Sequence, residues 1–149
     1  MTASSHIDPA TVKVLQDELA AVLRRLHKAL LDAEADRFGP IASPFELLNL
    51  ALNHEQFAWL RSLSELMVEL DEVRDADAPY EPRLAAFRVA VEELVGPRLP
   101  GRPQFRERYA EMLQRPAVAM AHGDLRRVLE KLPGAAAGER GADKDAPRH

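Results

Sequence analysis

Every strongly apolar stretch of this chain spaces its large hydrophobic residues by three and four, and nowhere do apolar and polar residues alternate. That spacing is the period of a helix with one packed face, so the chain reads as all-α. The clearest case lies between Ser43 and Asp77. From Phe57 onward Trp59, Leu60, Leu63, Leu66, Met67, Leu70 and Val73 mark one face, while Arg61, Glu65, Glu69 and Glu72 mark the other.

Helix starts are written into the sequence as caps. Ser43 precedes Pro44 and stands three residues before Glu46, which predicts a capped start with proline in the first turn. Asn53 and Gln56 repeat the logic, so a short helix from Pro44 to Leu52 gives way to a longer one; a single bent helix is the alternative. Asp8 with Pro9 opens helix 1, expected from Pro9 to Asp36, with Val12, Leu15, Leu19, Val22, Leu26 and Leu30 in near-heptad rhythm. Gly39 and Pro40 end it.

Downstream, Ala78-Pro79-Tyr80-Glu81-Pro82 forces a turn. The next helix is expected from Glu81 to Val95, closed by Gly96 as a left-handed cap and by Pro97. Gly96 to Pro103 reads as an extended loop, followed by helices from Gln104 to Gln114 and from Ala117 to Leu132. The expected architecture is an up-and-down helical bundle of four main helices plus one or two short helices. Residues 1–132 form its single domain. Residues 133–149, small and charge-balanced, are expected to be a disordered tail.

A chain of 149 residues is long enough to bury a core without staples. It has no cysteine, which excludes disulfides, thiolate metal sites and cysteine nucleophiles and points to a reducing cytoplasm. No signal-like apolar core opens it, and no apolar run reaches the ~20 residues that span a bilayer. The net charge of −4 argues against nucleic acid as a partner. That charge is segregated. Residues 44–77 carry eight acids against two arginines, a net of −6, whereas residues 98–131 carry eight bases against four acids, a net of +4.

The search for chemistry turns on the histidines, His6, His27, His54, His122 and His149. Arg24, Ala51 and Ala119 stand three residues before His27, His54 and His122, so the Glu-x-x-His pairs of a di-iron bundle are absent. The metal set open to this chain is His27 and Glu34, two turns apart on helix 1, joined by His54 and His122 from other helices. Phe57, Trp59 and Arg61 offer a ligand-pocket wall, although a tryptophan at helical spacing more often belongs to the core. The basic turn from Leu125 to Leu132 fits an acidic surface or an ordinary bundle helix. Ser62 and Ser64 have no basic partner nearby in sequence, and no nucleophile or phosphate-loop motif is present.

The sequence therefore points to a non-enzymatic bundle that self-associates, as a homodimer, or docks on a protein partner. The segregated charge and the missing catalytic set support that expectation. The alternative is a small-molecule or metal-binding bundle whose cavity lies near His27, Trp59 and His122, with a metal ion as its only expected cofactor.

Overall fold

The computed structural model describes residues 7–76, 79–96 and 103–134. Among them are six α-helices and no strand: α1 (Pro9–Phe38), α2 (Pro44–Asn53), α3 (Arg61–Asp75), α4 (Glu81–Val95), α5 (Pro103–Met112) and α6 (Pro116–Lys131). A 3-10 segment, Glu55–Leu60, leads into α3. The expected tail and loop fall mostly outside the described residues, as do His6 and His149.

Polar contacts fix the directions of the four long helices. Arg74 at the end of α3 reaches Asp17 near the start of α1 at 3.0 Å, while Trp59 just ahead of α3 reaches Glu34 near the end of α1. These two helices are antiparallel. Glu81 at the start of α4 accepts from the Ile7 amide at 3.2 Å, which makes α4 parallel to α1. Arg115 meets Asp36 at 3.1 Å and Lys131 meets Glu18 at 3.0 Å, so α6 runs back along α1. Exposed pairs of this kind contribute little energy. They nevertheless report an up, down, up, down order for α1, α3, α4 and α6.

Burial supplies the energy. All six heptad-like residues of α1 are buried, and they meet Leu63 and Leu70 of α3, Leu84 and Val91 of α4, and Val118, Leu125 and Leu129 of α6. Each fully buried leucine or valine contributes on the order of 1.5–3 kcal/mol relative to an exposed one. Two polar side chains also lie inside, Gln16 and Glu34. The amide nitrogen of Gln16 has no partner among the described residues, a cost that the surrounding apolar contacts offset.

Helix α1 runs two residues past the expected Asp36 and α5 stops two short of Gln114, and the caps differ from expectation in three places. Ser43 Oγ accepts from the Glu46 amide at 3.1 Å, but the Glu46 carboxylate accepts from Ala42 at 2.7 Å rather than from Ser43. Asn53 is the last residue of α2, its amide bonded to Asn49, and the cap of the next segment is His54, whose Nδ1 accepts from the Gln56 amide at 3.0 Å. A ring nitrogen of His54 does what the asparagine oxygen was expected to do, one residue on. Gly96 is extended, with φ −79°, and not left-handed. Glycine stands there for space: a Cβ would lie 2.7 Å from the carbonyl oxygen of Glu92. The left-handed glycine is Gly39, with φ 115°, closing α1 through its amide on Ala35 O at 3.2 Å.

Candidate binding groove and polar core network

Helix α2 has a sound start, but its hydrophobic residues stay near the surface. Leu47 and Leu50 lean on the core from one side, no residue of the helix is buried, and Phe45, Leu48 and Leu52 are 79%, 55% and 60% exposed. Those three stand at i, i+3 and i+7, a single stripe. Between α1, α2 and α3 the chain leaves a groove of about 450 Å³ with Leu31, Leu47, Leu48, Leu52 and Leu60 in its walls. At its base His27 Nε2 and Ser64 Oγ share a hydrogen bond of 3.0 Å. Arg61 stands at the rim with its guanidinium donating to the Leu52 carbonyl at 3.0 Å, beside the exposed Glu65.

A second cluster sits where the end of α1 meets the 3-10 segment and α5. Glu34 is fully buried, and donors saturate its carboxylate. Trp59 Nε1–H donates to Oε1 at 2.9 Å, Gln56 Nε2 donates to Oε2 at 2.6 Å, and Arg108 donates to Oε1 at 3.4 Å. The Arg108 guanidinium also lies 5.9 Å from the centre of the Trp59 ring, within cation–π range. Trp59 continues into Phe105 at 5.1 Å, Phe105 stacks on Tyr109 at 5.6 Å, and the Tyr109 hydroxyl meets His122 Nδ1 at 2.7 Å.

Burial raises the Tyr109 pKa far above that of a free phenol. It lowers the pKa of His122, helped by the Arg126 charge, and burial alone lowers that of His27. Both imidazoles are thus held neutral at pH values where the unfolded chain begins to protonate them. Their contribution to stability is complete above about pH 6.5 and is lost as pH falls through the folded pKa values. Urea midpoints measured between about pH 7.5 and 5 should fall with acid, and the pair of substitutions His27→Gln and His122→Gln should flatten that slope. An unchanged slope in the double variant refutes the assignment.

The residues expected to form one site fall into four places. His27 and Arg61 belong to the groove, Trp59 to the Glu34 cluster, and His122 to the Tyr109 pair. Phe57 is fully buried, packed against Phe38 and His54, and His54 itself is an exposed cap. The metal set of His27, Glu34, His54 and His122 does not assemble: Glu34 is committed to Gln56, Trp59 and Arg108, and no three His, Asp or Glu side chains gather around a common point among the described residues. Ser64, which has no histidine within nine residues in sequence, meets His27 from 37 positions away. Arg108 and Tyr109 carry no local motif, and only their shared helix face with Phe105 hinted at an inward role.

The basic half of the chain is largely used internally. Arg108, Arg115 and Lys131 pair with α1, Arg126 pairs with Glu92 of α4, and Leu125, Leu129 and Leu132 are core residues. On the acidic side Glu65, Glu69 and Glu72 of α3 make no ion pair among the described residues, and Val68 between them is 56% exposed. No helix of the described residues is long and apolar enough to cross a membrane. Comparison with protein-family models, with curated proteins and with solved structures finds no match for this chain.

Proposed function

We propose that the protein is a non-enzymatic docking module of the cytoplasm, whose α2–α3 groove receives the apolar face of an amphipathic helix from a protein partner. One observation carries the reading: a well-capped helix exposes a three-residue apolar stripe beside an apolar groove. Exposed large hydrophobic residues in isolation mean little, but a contiguous set beside a groove is the signature of an interaction surface. The charge of the rim specifies the partner further. Glu65 stands at the groove and makes no ion pair among the described residues, while the Arg61 guanidinium beside it is turned onto the Leu52 carbonyl, so a lysine or arginine flanking the apolar face of the incoming helix would meet Glu65.

The test uses a synthetic helix with leucines at i, i+3, i+4 and i+7 and lysines on its flanks, titrated into the full chain under NMR observation. Saturable shifts at Leu48, Leu52, Val68 and Glu65, with weaker binding at high salt and to a glutamate-flanked version of the peptide, are the expected result. Leu48→Glu should abolish binding without unfolding the bundle. Equal binding of both peptides, or no binding, overturns the reading. A dimer in native mass spectrometry that Leu48→Glu dissolves would replace the partner helix with a second copy of this chain.

A further inference from the structure

Between the end of α4, the middle of α5 and one face of α6 lies a second cavity, of about 350 Å³, with walls distinct from those of the α2 groove. Its apolar wall includes Leu94, Val95 and Leu113, and its polar wall Arg106, His122 and Arg126. A volume near the lower end of the range for ligand pockets suits a small molecule and not a peptide.

The polar wall offers donors. Arg106 uses one corner of its guanidinium on the carbonyls of Glu93 at 3.0 Å and Glu92 at 3.5 Å, and it makes no ion pair among the described residues. Arg126 donates through one nitrogen to Glu92 at 2.9 Å. The state of His122 follows from its neighbour. Tyr109 is 3% exposed and its hydroxyl meets only His122 among the described residues, so its proton must point at Nδ1 or be left without an acceptor. The imidazole proton therefore sits on Nε2, a nitrogen without a partner among the described residues. Of the two arginines that line the cavity, Arg126 is paired with Glu92 and Arg106 makes no ion pair among the described residues, which leaves one positive charge.

We propose that this cavity binds a small monocarboxylate with an apolar body, its carboxylate held by Arg106, His122 Nε2–H and Arg126 and its body laid on Leu94, Val95 and Leu113. Charge-assisted bonds from a fork and an imidazole suit a planar carboxylate. One excess positive charge matches a monoanion, and the leucine and valine wall has no use for a bare inorganic anion.

The experiment is an NMR titration of the full chain, with its histidine rings labelled, against hexanoate, acetate and inorganic phosphate. Hexanoate is expected to shift the His122 ring saturably and to bind roughly tenfold or more tighter than acetate, since acetate lacks the apolar body. His122 should then titrate at higher pH, because the bound anion offsets the Arg126 charge. Arg106→Leu should weaken hexanoate by about tenfold or more. Phosphate matching hexanoate, shifts confined to the α2 groove, or no shift of His122 each overturn the proposal. Should Arg106→Leu fail to fold, the comparison of the three anions on the unaltered chain decides alone.

Discussion

Replacing Glu34 by alanine is expected to lower the unfolding free energy by about 3–5 kcal/mol, the penalty for removing one partner from a buried charged cluster. The fully buried carboxylate accepts from Trp59, Gln56 and Arg108, and deleting it strands all three donors at once. Arg108 keeps 31% of its side-chain surface in water and can turn outward, so the loss belongs near the low end of that range. At roughly 2–4 °C of melting temperature per kcal/mol for a domain of this size, the fall is on the order of 10 °C. Glu34→Gln keeps the shape but turns one acceptor into a donor facing Trp59 or Gln56, so it should recover only part of the loss. Urea unfolding followed by Trp59 fluorescence measures both. A loss below about 1.5 kcal/mol in the alanine variant would mean that the cluster contributes no more than a single ordinary hydrogen bond.

The same cluster shows where reading by sequence stops. The heptad-like face of α1, the proline-marked starts of α1 and α2, and the bounds of α4 follow from spacing and capping, both local properties of the chain. Glu34 reads in the sequence as a candidate metal ligand two turns from His27, and its part as the acceptor of a buried cluster is visible only once its donors arrive from 22, 25 and 74 positions away. Loop lengths and helix directions set those meetings, and no periodicity records them. At α2 composition and position part in the other direction. Its composition is that of a core helix, but the short link from Gly39 to Ser43 and the 3-10 segment behind it hold it at the edge of the bundle, with its stripe outward. Legible and illegible parts thus divide along one line: what a residue prefers is local, and what it touches is not.

The charge pattern divides in the same way. Counting predicted an acidic centre and a basic C-terminal half, and both exist. Geometry adds that Arg108, Arg115, Arg126 and Lys131 are paired with α1 and α4, whereas Glu65, Glu69 and Glu72 of α3 make no ion pair among the described residues. A face-exchanging dimer needs both surfaces available, whereas a groove that receives a basic-flanked helix needs only the acidic one.

Phe57→Ala carries the second large expected effect, about 3–5 kcal/mol, and it separates folding from docking. Phe57 is fully buried, its ring centre lying 5.9 Å from Phe38 at the end of α1 and 6.3 Å from His54, which itself packs edge-on against Phe38 at 5.1 Å. These three rings pin the α2 end of the groove to α1. Removing the central ring leaves a cavity at the junction, and the cap formed by His54 on the Gln56 amide loses its backing. Amide exchange in the alanine variant should therefore speed up first at Gln56, Phe57 and His54, while amides in the middle of α6 follow only the global loss of stability. Phe57→Leu, which refills most of the volume, should cost markedly less. Leu52→Ala, at a 60% exposed position on α2, should change stability by no more than about 0.5 kcal/mol. Measured together, the three variants weigh the outer stripe of α2 against the ring cluster of the 3-10 segment behind it. If Leu52→Ala weakens the lysine-flanked peptide while leaving stability intact, and Phe57→Ala weakens it only in proportion to the loosening of α2, then the outer face serves the partner and the inner face serves the fold. A Phe57→Ala variant as stable as the unaltered chain would show instead that the ring cluster does not hold α2, and the groove would lose its rigid wall.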